Sequence, residues 1–381
     1  MQTFDSADKN YMRMALNLAE KNIGMSSPNP SVGCVVVRNG KIVGRGWHEY
    51  DRMNHAEVQA LAMAGDKSEN ATVYVTLEPC CHQGRTPPCT ELLVRKGVRR
   101  VVVAHEDPNP RVSGGGIARL RSKGIRVDVG LLYGPAGQVI EAFACKMTTG
   151  RPLVLSKVGM SLDGKIGSGR KKGIRISSSG GLKHGQSLRL RSDAVLVGIG
   201  TLLSDDPRLN YRGAGTRRRP LMKVVLDSSL RTPIDAGVFS ENTDNTVLIF
   251  CRQGNSTVRR RNLEKKGAEI VVVPTCDDFL DLDAILEDLA KRDVQGLLVE
   301  GGSRVHWEFI SQKLVDRFDF IVAPLVLGGD QAVPSVGGEG YTATVDAPKF
   351  KIRRRYSAGT DLILEAYPSY SRSVISPWRA P

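Results

Sequence analysis

Apolar side chains recur at helical spacing near the start of the chain. Met12, Ala15, Leu16 and Ala19 follow an acidic "DSAD" opening, so residues 7 to 22 read as a helix. The apolar run "VGCVVV" reads as a buried strand. Asn39-Gly40, between that run and "KIVGRGW", is a type I′ turn signal that pairs the two as an antiparallel hairpin. "HAEVQALAMAG" is helical from His55 and stops at Gly65, and "ATVYVTL" is the next strand. "PPCTELLVRKG" opens a helix with proline at its start, "VRRVVVAHE" is a strand, and "GIARLRSKG" with "IRVDVGL" repeats the alternation. Helix, hairpin, then strands alternating with helices predict a sheet covered on both faces, a three-layer arrangement.

The alternation lapses at "MTTGRP", residues 147 to 152, where Gly150 and Pro152 punctuate the chain before the apolar run "LVLSKVG". A first domain over 1–147 and a second over 152–367 follow. The second carries strand-like runs at "AVLVG", "KVVLD", "TVLIF", "EIVVVP", "GLLVEG" and "FIVAP", separated by helical patterns such as "FLDLDAILEDLAKR". Such alternation predicts a mostly parallel sheet, with ligands at its carboxyl edge. Residues 368–381 show no periodicity and read as a mobile or partner-docking tail.

Composition agrees with two domains, since 381 residues with 41% hydrophobic side chains exceed one ordinary core. No apolar run reaches the roughly 18 residues of a membrane span, and "MQTFDSADKNYMRM" lacks a signal-peptide core, so a soluble cytoplasmic protein is expected. Seven cysteines, an odd number, argue against a disulfide framework. A net charge of +14 suggests an anionic partner: nucleic acid, an acidic membrane face or a phosphorylated small molecule. The arginine runs 217–219, 259–261 and 353–355 lie beside turn-like sequence without interleaved aromatics, so they read as solvated faces rather than nucleic-acid platforms.

The chemistry concentrates in "EPCCHQGRTPPC", Glu78 to Cys89. Spacing alone leaves a disulfide clip, a redox pair and a metal site open. The rest of the chain favours metal: His55 opens one helix, Cys80 follows a strand and Cys89 opens the next helix. One nitrogen and two sulfur ligands with an open fourth position make a catalytic zinc site. Glu57, two residues from His55, is placed to shuttle protons. The zinc nucleobase deaminase signature is H-x-E followed by P-C-x-x-C, whereas here eight residues separate Cys80 from Cys89. The longer loop carries His82 and Arg85 to the rim, and Cys81 reads as a packed thiol pointing away from the metal.

These residues resemble the zinc-dependent cytidine deaminase superfamily, and "PCCHQGRTPPC" with "PNPSVGCVVV" upstream is similar to its riboflavin biosynthesis branch. "KVGMSLDGKI", "GIGTLLSDDPRL", "VVLDS", "LLVEGG" and "PLVLGG" extend the resemblance from about residue 8 to 367. It implies an α/β chain with an N-terminal cytidine-deaminase-like three-layer domain and a C-terminal dihydrofolate-reductase-like domain. The implied reactions are zinc-dependent deamination of diaminohydroxyphosphoribosylaminopyrimidine, a 5′-phosphate, and NADPH-dependent reduction of its ribosyl group to ribityl. Glu57 would be the general acid/base, and Asn29, His48, His82, Arg85 and Asn109 would line the deaminase pocket, with Arg85 on the phosphate. The resemblance also implies substrate contacts at Arg189, Leu209 and Arg212, NADPH contacts at Gly159, Thr201, Asp205 and Ser228, and assembly as dimers or tetramers.

In the second half no GxGxxG fingerprint appears. "LLVEGGSRVHWEF" instead reads as strand, glycine pair and helix start, so Gly301, Gly302 and Ser303 offer backbone N–H groups to a phosphate. Glu300 at that strand end and Lys157 in "LSKVG" are candidates beside the sugar, Lys157 as a proton donor or oxyanion stabiliser. Where the family carries a serine and then a tryptophan after "SLDG", this chain has Gly173 and Arg175. Charge alone suggests Arg175 for the cofactor's 2′-phosphate. A nucleic-acid deaminase and a non-catalytic zinc scaffold are the rivals. The first leaves the second domain without a role, and the second predicts that Glu57→Gln preserves function.

Overall fold

The structure, a computed structural model, describes residues 4–49, 55–83, 87–110, 112–169, 174–214, 217, 219–240, 246–276 and 279–370. It divides into two compact units, one ending at Gly150 and the next beginning at Arg151. Among the described residues no helix is long and apolar enough to cross a membrane.

The first unit runs α1 (Ser6–Glu20), β1 (Gly33–Arg38), β2 (Lys41–Trp47), α2 (Ala56–Ala64), β3 (Thr72–Val75), α3 (Cys89–Arg95), β4 (Arg100–Val103), α4 (Gly115–Ser122), β5 (Arg126–Val129), α5 (Tyr133–Val139) and α6 (Glu141–Thr149). Its sheet has the order β2-β1-β3-β4-β5. The β1–β2 and β1–β3 pairs are antiparallel, and the β3–β4 and β4–β5 pairs parallel. Asn39 and Gly40 both take positive φ, as the type I′ turn requires. Asp5 caps α1 by accepting from Asp8 N, and the predicted stripe of Met12, Ala15, Leu16 and Ala19 is buried on one sheet face with Val35 and Val102. Met12 and Leu16 stabilise that face by roughly 1.5–3 kcal/mol each. The helices α2, α3 and α4 cover the other face through Ala60, Leu61, Leu93 and Leu120.

Gly44 and Gly46 let α2 lie unusually close to β2. A Cβ at either position would run into the backbone carbonyls of Ala60 and Ala56. This close approach sets the height at which the first turn of α2 meets the sheet edge.

The second unit runs β6 (Leu153–Ser161), β7 (Lys165–Gly167), α7 (Ser179–Arg191), β8 (Ala194–Gly198), α8 (Ile199–Asp205), β9 (Met222–Leu226), β10 (Val247–Cys251), α9 (Thr257–Lys265), β11 (Ala268–Val272), β12 (Thr275–Cys276), β13 (Phe279–Leu280), α10 (Leu282–Lys291), β14 (Gly296–Val299), α11 (Ser303–Ser311), β15 (Arg317–Ala323), β16 (Val333–Pro334), β17 (Phe350–Ala358) and β18 (Asp361–Pro368). Nine strands form one sheet in the order β11-β10-β9-β8-β14-β6-β15-β18-β17. From β11 to β15 the pairs are parallel, and β18 and β17 add an antiparallel edge. Buried clusters cover both faces, one including Phe250, Leu286 and Phe309, the other Val197, Leu202 and Ile249. Strand β18 continues through Pro368, and Tyr370 Oη donates to Val315 O at 2.7 Å. The tail from residue 371 lies outside the described residues.

The arginine runs follow the solvated-face reading only in part: Arg260, Arg261, Arg354 and Arg355 are exposed, but other members are engaged. Arg217 donates to the carbonyls of Arg189, Leu190 and Ser192, closing the end of α7 where carbonyls lack helical partners. Arg219 pairs with Asp193 at 2.5 Å, and Arg259 reaches Leu230 O and Thr232 O. Arg353, Arg354 and Arg355 lie within edge strand β17 rather than beside a turn. Within the runs Arg217, Arg219 and Arg259 satisfy carbonyls or a carboxylate, which composition does not distinguish from solvation.

Candidate active sites

At the carboxyl ends of the parallel strands in the first unit, three elements converge. His55 is the residue before α2, Cys80 follows β3, and Cys89 is the first residue of α3. Their ligand atoms lie within 4.8 Å of one another, and among the described residues this is the one His/Cys/Asp/Glu group that could hold a metal ion. His55 Nδ1 is 3.5 Å from Cys80 Sγ and 3.3 Å from Cys89 Sγ, and Cys89 N–H donates to Cys80 Sγ at 3.3 Å. The Cys89 thiol bonded to it holds the Cys80 pKa well below the ordinary thiol range, against burial and with help from His55. Two sulfurs and an imidazole competing for protons suit zinc, whose ligand distances of about 2.3 Å to sulfur and about 2.0 Å to nitrogen fit this spread.

Glu57 is buried in the first turn of α2, where the helix dipole favours a carboxylate. Burial pushes its carboxyl above the usual range, with His55 pulling the other way. His48 is buried, lies 3.0 Å from Asn29 Nδ2 through Nε2, and meets the His55 ring edge-on at 5.5 Å. Asn109 is half-buried in the loop after β4, its N–H on Asp107 Oδ1 at 2.8 Å, and the exposed His82 acts electrostatically on that same Asp107. Cys81 stays outside the trio, its Sγ beside Gly115. Arg85 lies outside the described residues.

Glu78 has a role that spacing does not signal. Its Oε1 accepts from Gly116 N and Ile117 N at 2.8 and 3.1 Å, and its Oε2 from Gly114 N and Asp107 N at 2.9 and 3.1 Å. A buried carboxylate holding four N–H groups ties the Cys80 loop to the start of α4 and to the loop of Asn109. Sequence shows only a glutamate before a proline.

The second unit has a cavity of about 1130 Å³ at the carboxyl edge of its sheet. Of the residues expected to bind cofactor, Thr201, Asp205, Ser228, Gly302, Ser303 and Arg175 line it, as does Arg212 from the substrate set. Gly159 and Gly301 do not line it: Gly159 is backed by Ser177 Oγ, and a Cβ at Gly301 would strike the Val305 side chain. Ser303 opens α11, and its buried Oγ has no partner among the described residues. A helix start with an orphan hydroxyl and glycines that admit close approach fits a cofactor phosphate. Gly173 lies outside the described residues.

Beside the cavity, Glu300 is gripped by Arg189 through two parallel bonds, Nε–Oε1 at 2.9 Å and Nη2–Oε2 at 2.7 Å. Arg189 Nη1 holds Asn210 O, so this guanidinium is committed inside the protein rather than free to clamp a substrate phosphate, contrary to the reading from charge. Leu209 takes positive φ and its side chain is core, leaving only its backbone for a ligand. Lys157 Nζ stands 3.4 Å from Glu300 Oε2. Burial would raise the Glu300 pKa, but the charges of Lys157 and Arg189 outweigh it and hold it at about 2.

His306 is fully buried, with Nδ1 2.7 Å from Ser156 Oγ. Burial, reinforced by the charge of Lys157, lowers its pKa from 6.5 to about 3. The unfolded chain therefore binds the extra proton first. The stability contribution is fully present above about pH 6.5 and is lost as pH falls toward 3. Thermal unfolding between pH 7 and pH 4 should show this loss, and His306→Gln should flatten the dependence. An unchanged slope in that variant would assign the acid sensitivity elsewhere.

An imidazole and two thiols with a buried carboxylate beside them, joined in one chain to a parallel sheet whose cavity meets a helix start, define a zinc-dependent deaminase coupled to a nucleotide-dependent reductase. The family described as "Cytidine and deoxycytidylate deaminase zinc-binding region" matches residues 5–105, and that described as "RibD C-terminal domain" matches residues 152–364. The riboflavin biosynthesis protein RibD of Aquifex aeolicus is 39% identical over 94% of this chain and 97% of its own, and that of Escherichia coli 37% identical over 94% and 98%. The solved structure of Acinetobacter baumannii RibD, 33% identical, superposes with a TM-score of 0.83 over 96% of this chain and 99% of that one. The chain belongs to the RibD family of bifunctional riboflavin biosynthesis enzymes, deaminase and reductase in one polypeptide.

Proposed function

We propose that residues 1–147 deaminate 2,5-diamino-6-ribosylamino-4(3H)-pyrimidinone 5′-phosphate and that residues 152–367 then reduce the ribosyl group of the product to ribityl. The observation that carries the reading is the trio of His55, Cys80 and Cys89 with Glu57 buried beside it. A solved Thermotoga maritima relative, 33% identical with a TM-score of 0.81, bears the name of this deaminase and reductase pair.

His55, Cys80 and Cys89 would hold zinc, which when bound lowers the pKa of a coordinated water toward neutrality. Glu57 accepts one proton of the attacking water and passes it to the ring nitrogen, then takes the remaining proton of the added hydroxyl and passes it to the amino group, which leaves as ammonia. His48, steadied by Asn29, packs against His55, His82 and Asn109 supply the outer rim, and Arg85 would contact the substrate phosphate. In the second unit Thr201, Asp205, Ser228, Gly302 and Ser303 would hold NADPH, which when bound supplies hydride. Gly159 and Gly301 leave room for Ser177 Oγ and the Val305 side chain rather than for the cofactor. Reduction breaks the bond between the anomeric carbon and the ring oxygen, so that oxygen needs a proton. Glu300, ionised by its two cationic neighbours, cannot give one at neutral pH. Lys157 is the donor, with Glu300 and Arg189 fixing its position and Arg212 meeting the substrate phosphate. We further place the enzyme in the cytoplasm as a dimer or tetramer, with no nucleic-acid or membrane partner.

The test is metal content paired with ammonia release from the phosphorylated pyrimidine, with and without NADPH. About one zinc per chain, deamination without NADPH, and nucleotide oxidation only afterwards are expected. Zinc without ammonia release would overturn the substrate assignment.

A further inference from the structure

Two strands of the second unit stand apart from its large sheet. β7 and β16 pair with each other, Lys165 with Pro334 and Gly167 with Val333, and Ile166, Gly167 and Val333 line the cavity. A two-stranded ribbon is marginal by itself, and Pro334 brings no N–H to it. What steadies it lies at its base, in the turn between β6 and β7. Exposed Asp163 accepts from Leu327 N at 3.1 Å and from Gly328 N at 2.8 Å, both in the segment that leads from β15 to β16. Ser161 Oγ donates to the same carboxylate at 2.6 Å and accepts from Lys165 N at 3.0 Å, which ties this latch to the first residue of β7. The Ser161 hydroxyl and then the two backbone donors hold the Asp163 carboxyl at about 2, so it is ionised at neutral pH.

Position says what the ribbon covers. β6 and β15 are parallel neighbours, and the two segments of the ribbon leave the carboxyl ends of these strands. Lys157 lies on β6 shortly before Ser161. Beyond β16 the chain crosses the start of α11: Gly337 N donates to Ser303 O at 3.1 Å, and a Cβ at Gly337 would stand 2.5 Å from Ser303 Oγ. The ribbon is thus fastened on one side near Lys157 and on the other over the helix start that fits a cofactor phosphate. Two further bonds cross its base, Leu162 N to Leu325 O and Ser335 N to Gly164 O, both at 2.8 Å. These join neutral groups, whereas Asp163 brings a charge, which makes its bonds roughly twice as strong.

We infer that Asp163 is a positioning residue for the reduction: it latches the β7–β16 ribbon against the bound dinucleotide, so that Ile166 and Val333 hold the nicotinamide where hydride transfer needs it. This rests on the cavity being the dinucleotide site. Asp163 itself touches neither substrate nor cofactor and acts through the apolar wall it fastens. A misplacement of about 1 Å at the reacting atoms costs up to about a hundredfold in rate.

The experiment joins hydrogen exchange of the full-length protein without cofactor to stopped-flow release of NADPH, followed by its fluorescence. Asp163→Ala should speed exchange of the Ser335 amide, which bonds to Gly164 and not to Asp163. The same variant should release NADPH faster and reduce the ribosyl group more slowly, about ten- to a hundredfold each, with ammonia release unchanged. Asp163→Asn should fall between, because its amide keeps an acceptor oxygen and loses the charge. Unchanged Ser335 exchange, or faster exchange with unchanged NADPH release, would overturn the assignment. A cross-link gives the converse test. A Cβ at Gly167 would stand 3.9 Å from Val333 Cβ, within the span of a disulfide. Gly167→Cys with Val333→Cys in the Asp163→Ala protein, once mass spectrometry shows the bond formed, should slow NADPH release again, and reduction of the bond should reverse this. Fast release from the cross-linked protein would place the effect of Asp163 elsewhere and defeat the assignment. Ser228→Glu separates the two readings: a charge in the cavity, away from the ribbon, should abolish NADPH binding and leave Ser335 protected. If NADPH still binds to Ser228→Glu, the cavity reading falls and the assignment with it.

Discussion

Glu57→Gln should slow ammonia release by about a hundred- to ten-thousandfold while zinc content and the reductase rate on already deaminated substrate stay as they are. The substitution keeps volume at a position only 4% exposed, so packing of α2 on β2 survives. It also leaves His55, Cys80 and Cys89, the candidate ligands, untouched. What disappears is a group able to take a proton from water and hand it on, because an amide oxygen is too weak a base. Metal analysis beside a single-turnover ammonia assay separates the effects. Loss of zinc together with activity would make Glu57 a structural support for the trio, and retained activity would return a non-catalytic scaffold to contention.

Lys157→Met should lower the rate of ribosyl reduction by a similar factor, about a hundred- to ten-thousandfold, with NADPH affinity unchanged. The charge arithmetic makes this variant cleaner than one at Glu300 or Arg189. Glu300 is a buried carboxylate shared between two cations, and removing Lys157 leaves it with both bonds from Arg189. Removing Arg189 instead would strand a buried charge at a cost of about 3–5 kcal/mol and confuse folding with chemistry. Rates at saturating substrate, beside equilibrium NADPH binding, are the readout. Weaker NADPH binding with an intact rate would make Lys157 a cofactor contact and leave the proton donor unassigned.

How far these sites are legible in the chain depends on whether each role is carried by spacing. The metal trio is legible because a histidine at a helix start and cysteines flanking a strand-to-helix loop must meet if the alternation is right. The turn after β14 is legible only in part: strand, turn and helix start follow each other directly and bring Gly302 and Ser303 to the cavity, but Gly301 packs on Val305 instead. Arg189 shows the limit: it lies 111 residues from the carboxylate it holds, so only the packed structure distinguishes a phosphate clamp from an internal ion pair. Glu78 is a second case, where four backbone donors arrive from residues 107 to 117 and none shares a motif with it. The arginine runs are mixed: Arg260, Arg261, Arg354 and Arg355 are exposed as read, whereas Arg217 and Arg259 hold carbonyls that no motif announces.

The glycines of β2 carry a lesson for transplanting this chemistry. Neither Gly44 nor Gly46 supplies a group to zinc or substrate, yet their bare backbone is what lets the helix bearing His55 and Glu57 rest on the strand. A designer grafting the H-A-E and P-C-C-H segments onto a foreign scaffold would reproduce every ligand and still hold the histidine too far from the sulfurs. The portable unit is the helix together with the strand beneath it, so the smallest transferable module is a piece of architecture rather than a string of reactive residues.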